Sequence, residues 1–370
     1  MNIEFTDAGM VVPDNLTVGY IDGDGIGPEI TKSMIDVVNS AIELAYGGDK
    51  SIEWQKILIG AEAYEKLGTY MPEDSIKEIK KIAVIMKSTL NIMPDNRDIN
   101  SILRKRIGLY SNIRVIEYIE GMDTVINTFN RLKLAVIRDS LPGIHVFYHA
   151  SESTDELIKF IMDNYDINIT QDAEVYMATQ SRFRARKIAR HAIEYCKENG
   201  NTKITIVENH YGSEFAQWCK EEISKQDDVK YETIKVRQFM KNLLSSPENY
   251  EVVLMDNVLS GTFIDYLMGA INIEYGSSIG DECAIFEAVQ SSLPSEAGYD
   301  VADPLSFILS GTEMLMHIGW KDAAKIIKNA ISSAFKDNKI PKDLTSRTGI
   351  TAIKCSEFSS EIIKRMSGSK

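Results

Sequence analysis

The sequence predicts an α/β protein in which a mostly parallel sheet is covered by helices on both faces. The short apolar segments IAVIM (82–86), KLAVI (133–137) and ITIV (204–207) are typical of buried strands, and stretches with helical spacing of apolar residues separate them. Apolar strands that alternate with helices form parallel sheets because both faces of each strand are buried. At 370 residues the chain is long enough for two domains.

The first α/β unit is predicted at the start of the chain. Residues 16–21 alternate like a strand and lead into DGDGIGPEI (22–30), after which apolar residues at helical spacing continue over 30–44. The irregular pattern at about 145–180 predicts an appended arm outside the sheet. From Phe263 onward the chain is predicted to be mostly helical.

Composition excludes several classes of partner. The chain has 54 acidic and 41 basic residues and a formal net charge of -13. This charge repels nucleic acids and anionic membrane surfaces, so neither is an expected partner. A small anionic ligand would need a local group of arginines that works against the overall charge.

The cysteines indicate a reducing compartment. Cys196, Cys219, Cys283 and Cys355 lie far apart in the sequence and form neither a CxxC pair nor a metal-ligand spacing. The first 15 residues lack the basic and apolar regions of a signal peptide, and the chain has no run of about 18 apolar residues. We therefore expect a cytoplasmic protein with buried, reduced thiols.

The segment GDGIGPEI (23–30) predicts a tight turn between a strand and a helix. Gly23, Gly25 and Gly27 allow the backbone to turn sharply and to approach a ligand, and Glu29 favours the helix N-terminus. The spacing differs from the GxGxxG dinucleotide fingerprint, and the sequence has no GxxxxGK[ST] phosphate loop. The motif alone is equally typical of a purely structural connection.

Five motifs in order resemble one family. They are GDGIGPEI (23–30), ILRKRIGLYSNIR (102–114), RFRARKIARHAIEYCKENG (182–200), NYEVVLMDN (249–257) and, between 284 and 319, AIFEAV followed by AGYDVADPLSFILSGTEMLMHIG. Over about residues 16–335 the chain resembles the isocitrate and 3-isopropylmalate dehydrogenases, which are metal-dependent β-decarboxylating dehydrogenases.

The resemblance implies the domain organisation. Residues 1–105 together with 258–370 would form a large domain, and residues 106–257 a small domain that carries a dimerisation arm at about 145–180. Substrate and nucleotide would bind in the cleft between the domains. The resemblance also implies a homodimer or a larger homo-oligomer.

The resemblance assigns substrate binding to three arginines, Arg104, Arg114 and Arg138. In the family, the arginines at these motif positions hold the carboxylates of a 2-hydroxy acid. A planar guanidinium can donate two parallel hydrogen bonds to a carboxylate or a phosphate. Three of them in one cleft would form an anion pocket despite the acidic net charge.

The family's catalytic positions are replaced in this chain. His145 stands where the family has its tyrosine, and the segment that ends in His210 has no counterpart of the proton-relaying lysine. Arg237 replaces an acidic residue. In the family's metal site the first aspartate becomes Gly261, which leaves Asp265 as the one candidate ligand for Mg²⁺.

The loop that holds the cofactor's adenine end in the family also differs. It reads QSSLPSEAG, with Gln290 in place of a histidine and Ser295 in place of an aspartate, and Asp303 replaces a following asparagine. The candidate nucleotide-binding residues are therefore Gln290, Asp303 and the glycines of the first turn. The sequence leaves open whether the nucleotide is ATP or NAD(P).

These replacements argue against ordinary oxidative decarboxylation. Mg²⁺ prefers about six oxygen ligands, and two of the three expected carboxylates are missing. An arginine cannot bind a cation and raises the electrostatic cost of binding one nearby.

Three interpretations follow. The first is a repurposed enzyme, such as an ATP-dependent small-molecule kinase, a transferase in which Arg237 adds positive charge and His145, His210 and Asp265 serve in catalysis. The second is a non-catalytic, regulatory member of the family that binds a hydroxy acid or a nucleotide. The third is an NAD(P)-dependent dehydrogenase of the isocitrate or isopropylmalate type.

Overall fold

The fold is that of a computed structural model of the whole chain. It describes residues 1–6, 9–94, 98–122, 124–140, 146–148, 152–165, 167–170, 173, 175–177, 179–209, 214–271, 273–345 and 351–368. No described helix is long and apolar enough to cross a membrane.

Strands occur along most of the described chain, from its start to residue 287. They are β1 (Glu4–Thr6), β2 (Gly9–Val11), β3 (Asn15–Ile21), β4 (Ser51–Lys56), β5 (Val84–Lys87), β6 (Ser111–Glu117), β7 (Lys133–Asp139), β8 (Val146–Tyr148), β9 (Val175–Met177), β10 (Lys203–Glu208), β11 (Lys230–Lys235), β12 (Val252–Leu254), β13 (Glu274–Ile279) and β14 (Ala284–Glu287).

The α-helices alternate with these strands along most of the chain. They are α1 (Gly27–Tyr46), α2 (Ala61–Leu67), α3 (Glu73–Ile82), α4 (Ile99–Ile107), α5 (Glu152–Tyr165), α6 (Arg182–Glu198), α7 (Phe215–Ile223), α8 (Val236–Ser245), α9 (Asn257–Ile271), α10 (Leu305–His317), α11 (Lys321–Lys336), α12 (Lys342–Thr345) and α13 (Cys355–Ser367).

A single ten-stranded sheet organises the described chain. Its order is β11-β10-β12-β7-β6-β13-β14-β5-β3-β4. The central strands β6 and β13 run antiparallel to each other and to their outer neighbours β7 and β14, and the remaining neighbours are parallel. The predicted α/β class with a mostly parallel sheet is confirmed.

The sheet order follows the two halves that the sequence predicts. Strands β6, β7, β10, β11 and β12 come from residues 106–257 and lie side by side, and the other five come from the flanking segments. The division into a large and a small domain stays a prediction. Strands β8 and β9 pair with each other outside this sheet, where the sequence predicts an arm.

Helix α1 shows how the sequence produces these elements. Ile30, Met34, Val37 and Ala41 recur at helical spacing and are buried. A proline lies in the first turn, where its missing N–H removes no helical hydrogen bond. The helix ends at Gly47, which has a left-handed conformation and donates its N–H to the Glu43 carbonyl. Its buried face packs against α10, α11 and α13.

The four cysteines lie in the interior. Cys196, Cys219, Cys283 and Cys355 are all buried and free. Burial raises the pKa of the Cys283 thiol to about 12, so it stays protonated at neutral pH. The prediction that the thiols are buried is confirmed, and their reduced state stays a prediction.

The glycine turn before α1 packs against two loops from other strands. The N–H of Asp24 donates to the Thr89 carbonyl, and the N–H of Ile26 donates to the Ser292 carbonyl. A Cβ at Gly25 would overlap the carbonyl oxygen of Ser292. Asp24 is buried and its carboxylate accepts hydrogen bonds from the backbone N–H groups of Ala61 and Asn91. The turn therefore joins loops that follow β3, β5 and β14.

A comparison of Gly25→Ala with Gly47→Ala tests whether the close packing at Gly25 adds to the cost of an alanine there. Both glycines have φ near +60°, but nothing lies within 4 Å of a Cβ at Gly47. The left-handed conformation alone costs an alanine about 1–2 kcal/mol. We expect Gly25→Ala to lower the free energy of unfolding by more than about 4 kcal/mol because the backbone must also move. Equal losses in urea denaturation would contradict the packing argument.

A buried histidine predicts how stability depends on pH. His191 is buried, and its Nδ1 lies 2.8 Å from the Ser111 Oγ. Burial, with a smaller contribution from His317, lowers the pKa of His191 from 6.5 to about 3. Because the folded pKa is the lower one, the stabilisation is present above pH 6.5 and is lost as the pH falls toward 3.

We therefore expect the free energy of unfolding to fall more steeply between about pH 6.5 and pH 4 in the wild type than in His191→Gln. Urea denaturation at several pH values measures this slope. Parallel curves for the two proteins would show that His191 titrates normally in the folded state.

Candidate functional site

A row of charged residues crosses the centre of the sheet on one face. The strand register places Arg114 of β6 opposite Gly276 of β13, Gly276 opposite Glu287 of β14, and Glu287 opposite Lys87 of β5. Arg114, Glu287 and Lys87 are buried. Residues two apart on a strand share a face, so Glu274, two positions before Gly276, faces the same side.

Arg114 and Glu287 form the central ion pair of this row. The Arg114 Nη1 lies 3.0 Å from the Glu287 Oε1, and its Nε lies 2.9 Å from the Glu274 Oε1. The Lys87 Nζ lies 3.2 Å from the second oxygen of Glu287. These cations hold the pKa of Glu287 well below its usual range, although burial opposes them.

Gly276 provides the space that Arg114 needs. A Cβ at Gly276 would overlap the Arg114 guanidinium, which extends across the glycine toward Glu287. The residue between the two charged strands must therefore lack a side chain.

Arg138 and Arg104 add positive charge beside this row. The Arg138 Nε donates to the Asn112 Oδ1 at 2.9 Å. Burial, followed by the charges of Arg114 and Arg104, lowers the pKa of Arg138 to about 10. Arg104 on α4 also lowers the pKa of Lys87, although burial is the larger cause. The three arginines that the sequence singled out therefore lie within electrostatic reach of one another.

We call Lys87, Arg104, Arg114, Arg138, Glu274 and Glu287 the cationic cluster. Within it four cations face two carboxylates, and the exposed Asp265 lies beside it as a third acidic group. Buried charges are costly unless they are paired. The arrangement therefore suits an anionic ligand.

Two of the predicted nucleotide-binding residues, Gln290 and Asp303, lie after β14. The Gln290 Nε2 donates to the Asp303 carbonyl at 2.6 Å, and the Asp303 carboxylate accepts from the backbone N–H of Leu305 at 2.8 Å. Burial raises the pKa of Asp303 to about 7. Both side chains thus have partners within the loop. The packing of the glycine turn also accounts for Gly23, Gly25 and Gly27, and the role of these five residues in nucleotide binding stays a prediction.

Asp265 and Gly261 lie on α9 beside the cluster. Asp265 is exposed, and its charge raises the pKa of Glu274, after the larger effect of burial. A Cβ at Gly261 would lie 3.8 Å from the Arg138 Nη1, so a cation faces the position where the family resemblance implies a carboxylate. In the described part of the chain, no group of three histidine, cysteine or acidic residues could hold a metal ion.

Among the described residues, the predicted site residue Arg237 lies away from the cluster. Arg237 is exposed on α8, which follows β11 at the edge of the sheet, four strands away from β6. His145 and His210 lie outside the described residues. The Asn209 Nδ2, in the segment without the family's lysine, donates to the Asp256 Oδ2 at 2.6 Å.

Comparison with known proteins identifies the family of this chain. The family model described as "Isocitrate/isopropylmalate dehydrogenase" matches residues 17–362. The chain belongs to this family.

Relatives and solved structures match along nearly the whole chain. NADP isocitrate dehydrogenase from Archaeoglobus fulgidus is 27% identical over 98% of this chain and 96% of its own length, and that from Streptococcus salivarius is 29% identical over 96% and 97%. The crystal structure of isocitrate dehydrogenase from Methylococcus capsulatus has a TM-score of 0.77 at 24% identity, covering 95% of this chain and 99% of that one. At that identity the structural likeness shows the fold alone.

Lys87, Glu274 and Glu287 of the cationic cluster could not be identified from the motifs. Lys87 directly follows the predicted strand IAVIM, and Glu287 lies in the apolar segment AIFEAV. A charged residue inside or at the end of an apolar strand was the available signal, because such residues are rarely buried without a partner.

Glu287→Gln tests whether the cluster holds together through this carboxylate. We expect the free energy of unfolding to fall by about 3–5 kcal/mol because Lys87 and Arg114 lose their shared anion in the interior. Glu221→Gln is the matched control: Glu221 binds Arg182 and Arg186 at the surface, so its loss should lower the free energy of unfolding much less. Comparable losses in urea denaturation would contradict the account.

Proposed function

We propose that this chain binds a small hydroxy acid with two or more carboxylates, of the isocitrate and isopropylmalate class, and oxidises it with NAD(P). The observation that supports this proposal is the convergence of Lys87, Arg104, Arg114 and Arg138, four cations that outnumber the acidic groups beside them. The two relatives named above are NADP-dependent isocitrate dehydrogenases that match over nearly their whole length.

The cluster would bind and orient the acid. Arg104 and Arg138 have no carboxylate within 4 Å in the described residues, so their guanidinium groups can each donate paired hydrogen bonds to a ligand carboxylate. Arg114 and Lys87 are already bound to Glu274 and Glu287 and would supply charge behind the ligand. The cluster would stabilise the negative charge that develops on the hydroxyl oxygen as its proton leaves to solvent, before the carbon loses a hydride and becomes a ketone carbon. NAD(P)⁺, when bound, would supply the hydride acceptor.

The divalent metal of the family reaction does not fit the described residues. Asp265 is one carboxylate, Gly261 supplies none, and the Arg138 guanidinium faces the space beside Gly261. A hard cation would need several more oxygens from the chain. The proposed reaction is therefore oxidation of the alcohol without metal-assisted loss of carbon dioxide.

A second candidate function is a non-catalytic, regulatory role. It is favoured by Gly261 in the metal site and by Asn209, which binds Asp256 in the segment where the family has its lysine. The ATP-dependent phosphoryl transfer expected from the sequence gains no support from the relatives named above. From its family we also propose that this chain forms a homo-oligomer.

Nucleotide and substrate assays separate these functions. The purified protein is titrated with NADP⁺, NAD⁺ and ATP and followed by its melting temperature, which rises when a ligand binds the folded state. Formation of reduced nicotinamide is then followed by its absorbance with isocitrate or 3-isopropylmalate as substrate. We expect a nicotinamide nucleotide to stabilise the protein and turnover to occur. Binding of isocitrate without turnover would favour the regulatory role, and stabilisation by ATP alone would contradict the proposal.

Variants on helix α4 test the role of the arginines in binding. We expect Arg104→Met to weaken isocitrate binding ten- to a hundred-fold, since a lost charge-assisted hydrogen bond costs about 1.5–3 kcal/mol. Arg106→Met on the same helix is the matched control, because Arg106 binds Glu73 at the surface. Isothermal titration calorimetry measures both. An unchanged affinity for Arg104→Met would remove Arg104 from the site.

The same titration with Arg237→Met tests the predicted substrate role of that exposed residue. If isocitrate binds at least about tenfold more weakly, Arg237 takes part in substrate binding through contacts that the described residues of a single chain do not provide. An unchanged affinity would contradict the prediction that Arg237 binds the substrate.

A further inference from the structure

A second polar cavity lies on the opposite face of the sheet. Arg114 and Val115 are consecutive on β6, and Glu274 and Tyr275 are consecutive on β13, so Val115 and Tyr275 face away from the cationic cluster. These two residues line a cavity of about 230 Å³. We call it the rear cavity.

The floor of the rear cavity is aromatic and contains one acidic side chain. It is formed by Tyr195 of α6, Tyr250, Tyr275 and Glu313 of α10, and all four are buried. The volume is below the range of about 300–1,000 Å³ that is typical of sites for drug-sized ligands and cofactors. A nucleotide would therefore not fit, whereas a small metabolite would.

Glu313 lacks a hydrogen-bond donor in the described part of the chain. Its side chain is 9% exposed, and the nearest described cation is the Lys328 Nζ at 3.9 Å, beyond hydrogen-bond distance. Lys328 lies closer to other groups, at 3.2 Å from the Tyr275 hydroxyl and 3.4 Å from a Glu117 oxygen. Burial accordingly raises the pKa of Glu313. A buried carboxylate of this kind is stabilised by a ligand that donates N–H groups.

The rim of the rear cavity carries the complementary free charge. Arg131 and Glu248 bind each other at 2.7 Å, and Glu251 accepts a hydrogen bond from the Thr202 N–H. Lys133 also lines the cavity, is exposed, and has no acidic group within 4 Å among the described residues. Among the described charged groups of the cavity, Glu313 at the floor thus lacks a hydrogen-bond donor and Lys133 at the rim lacks an acidic group within 4 Å, and the two have opposite signs.

We propose that the rear cavity binds a free α-amino acid. Its ammonium group would donate to Glu313, and its carboxylate would bind Lys133. The tyrosine rings would contact the ammonium group and the side chain, since aromatic faces attract cations. A simple anion would meet Glu313 on the floor, and a simple amine would leave Lys133 without a partner.

The test is a calorimetric titration of the full-length protein with each of the standard L-amino acids at millimolar concentration. We expect at least one to bind saturably. Its N-acetyl derivative, which lacks the ammonium group, and its amide, which lacks the carboxylate, should each bind at least about tenfold more weakly. Isocitrate at saturation should not displace it, because the cationic cluster lies on the other face.

Two variants locate the site. Glu313→Gln and Lys133→Met should each weaken binding at least about tenfold. Lys336→Met is the matched control, because Lys336 is an exposed lysine that binds Glu120 away from the cavity. If Glu313→Gln does not fold, Lys133→Met still tests whether the amino acid binds in the rear cavity, because Lys133 is exposed.

Three results would overturn the proposal. The first is no binding by any of the standard amino acids. The second is an affinity that neither Lys133→Met nor a folded Glu313→Gln changes. The third is equal affinity for the amino acid and its amide, which would make the cavity a site for amines.

Discussion

The ion pair between Arg114 and Glu287, formed across Gly276, is the interaction on which the site depends. It joins the two antiparallel central strands to β14 and, through Lys87, to β5. Because both charges are buried, removing either one is costly: Arg114 would keep only Glu274 as its anion, and Glu287 would keep only Lys87 as its cation. Glu274 and Glu287 together fix the orientation of the Arg114 guanidinium at the centre of the sheet, in a protein with a net charge of -13.

The rest of the described structure supports this centre from both sides. Asp24 and the glycine turn hold together the loops after β3, β5 and β14, and so they fix the carboxyl ends of β5 and β14, where Lys87 and Glu287 lie. On the opposite face, α10 donates the Ser310 hydroxyl to the Glu287 carbonyl. Strand β14, which carries Glu287, is thus held on both faces.

Much of this architecture could be predicted from the sequence, and the missing parts share one cause. The periodicity of apolar residues identified β3 and α1, and the glycines identified the turn between them, because these are local features of the sequence. The resemblance to a family identified Arg104, Arg114 and Arg138, which the structure brings within electrostatic reach of one another. The partners Lys87 and Glu287 are far apart in the chain, and their contact depends on the register of β5 and β14, which a hydrophobic pattern does not specify. The rear cavity could not be predicted either, because its lining residues come from elements that are far apart in the sequence.

The central claim is that the excess positive charge of the cluster is completed by the carboxylates of a ligand. Calorimetric titration with lactate, malate and isocitrate tests it directly, because these hydroxy acids carry one, two and three carboxylates. The account predicts that malate binds at least tenfold more tightly than lactate, a difference of about 1.4 kcal/mol, and that isocitrate binds at least as tightly as malate. If lactate binds as tightly as malate, the cluster does not recognise a second carboxylate and the account is wrong.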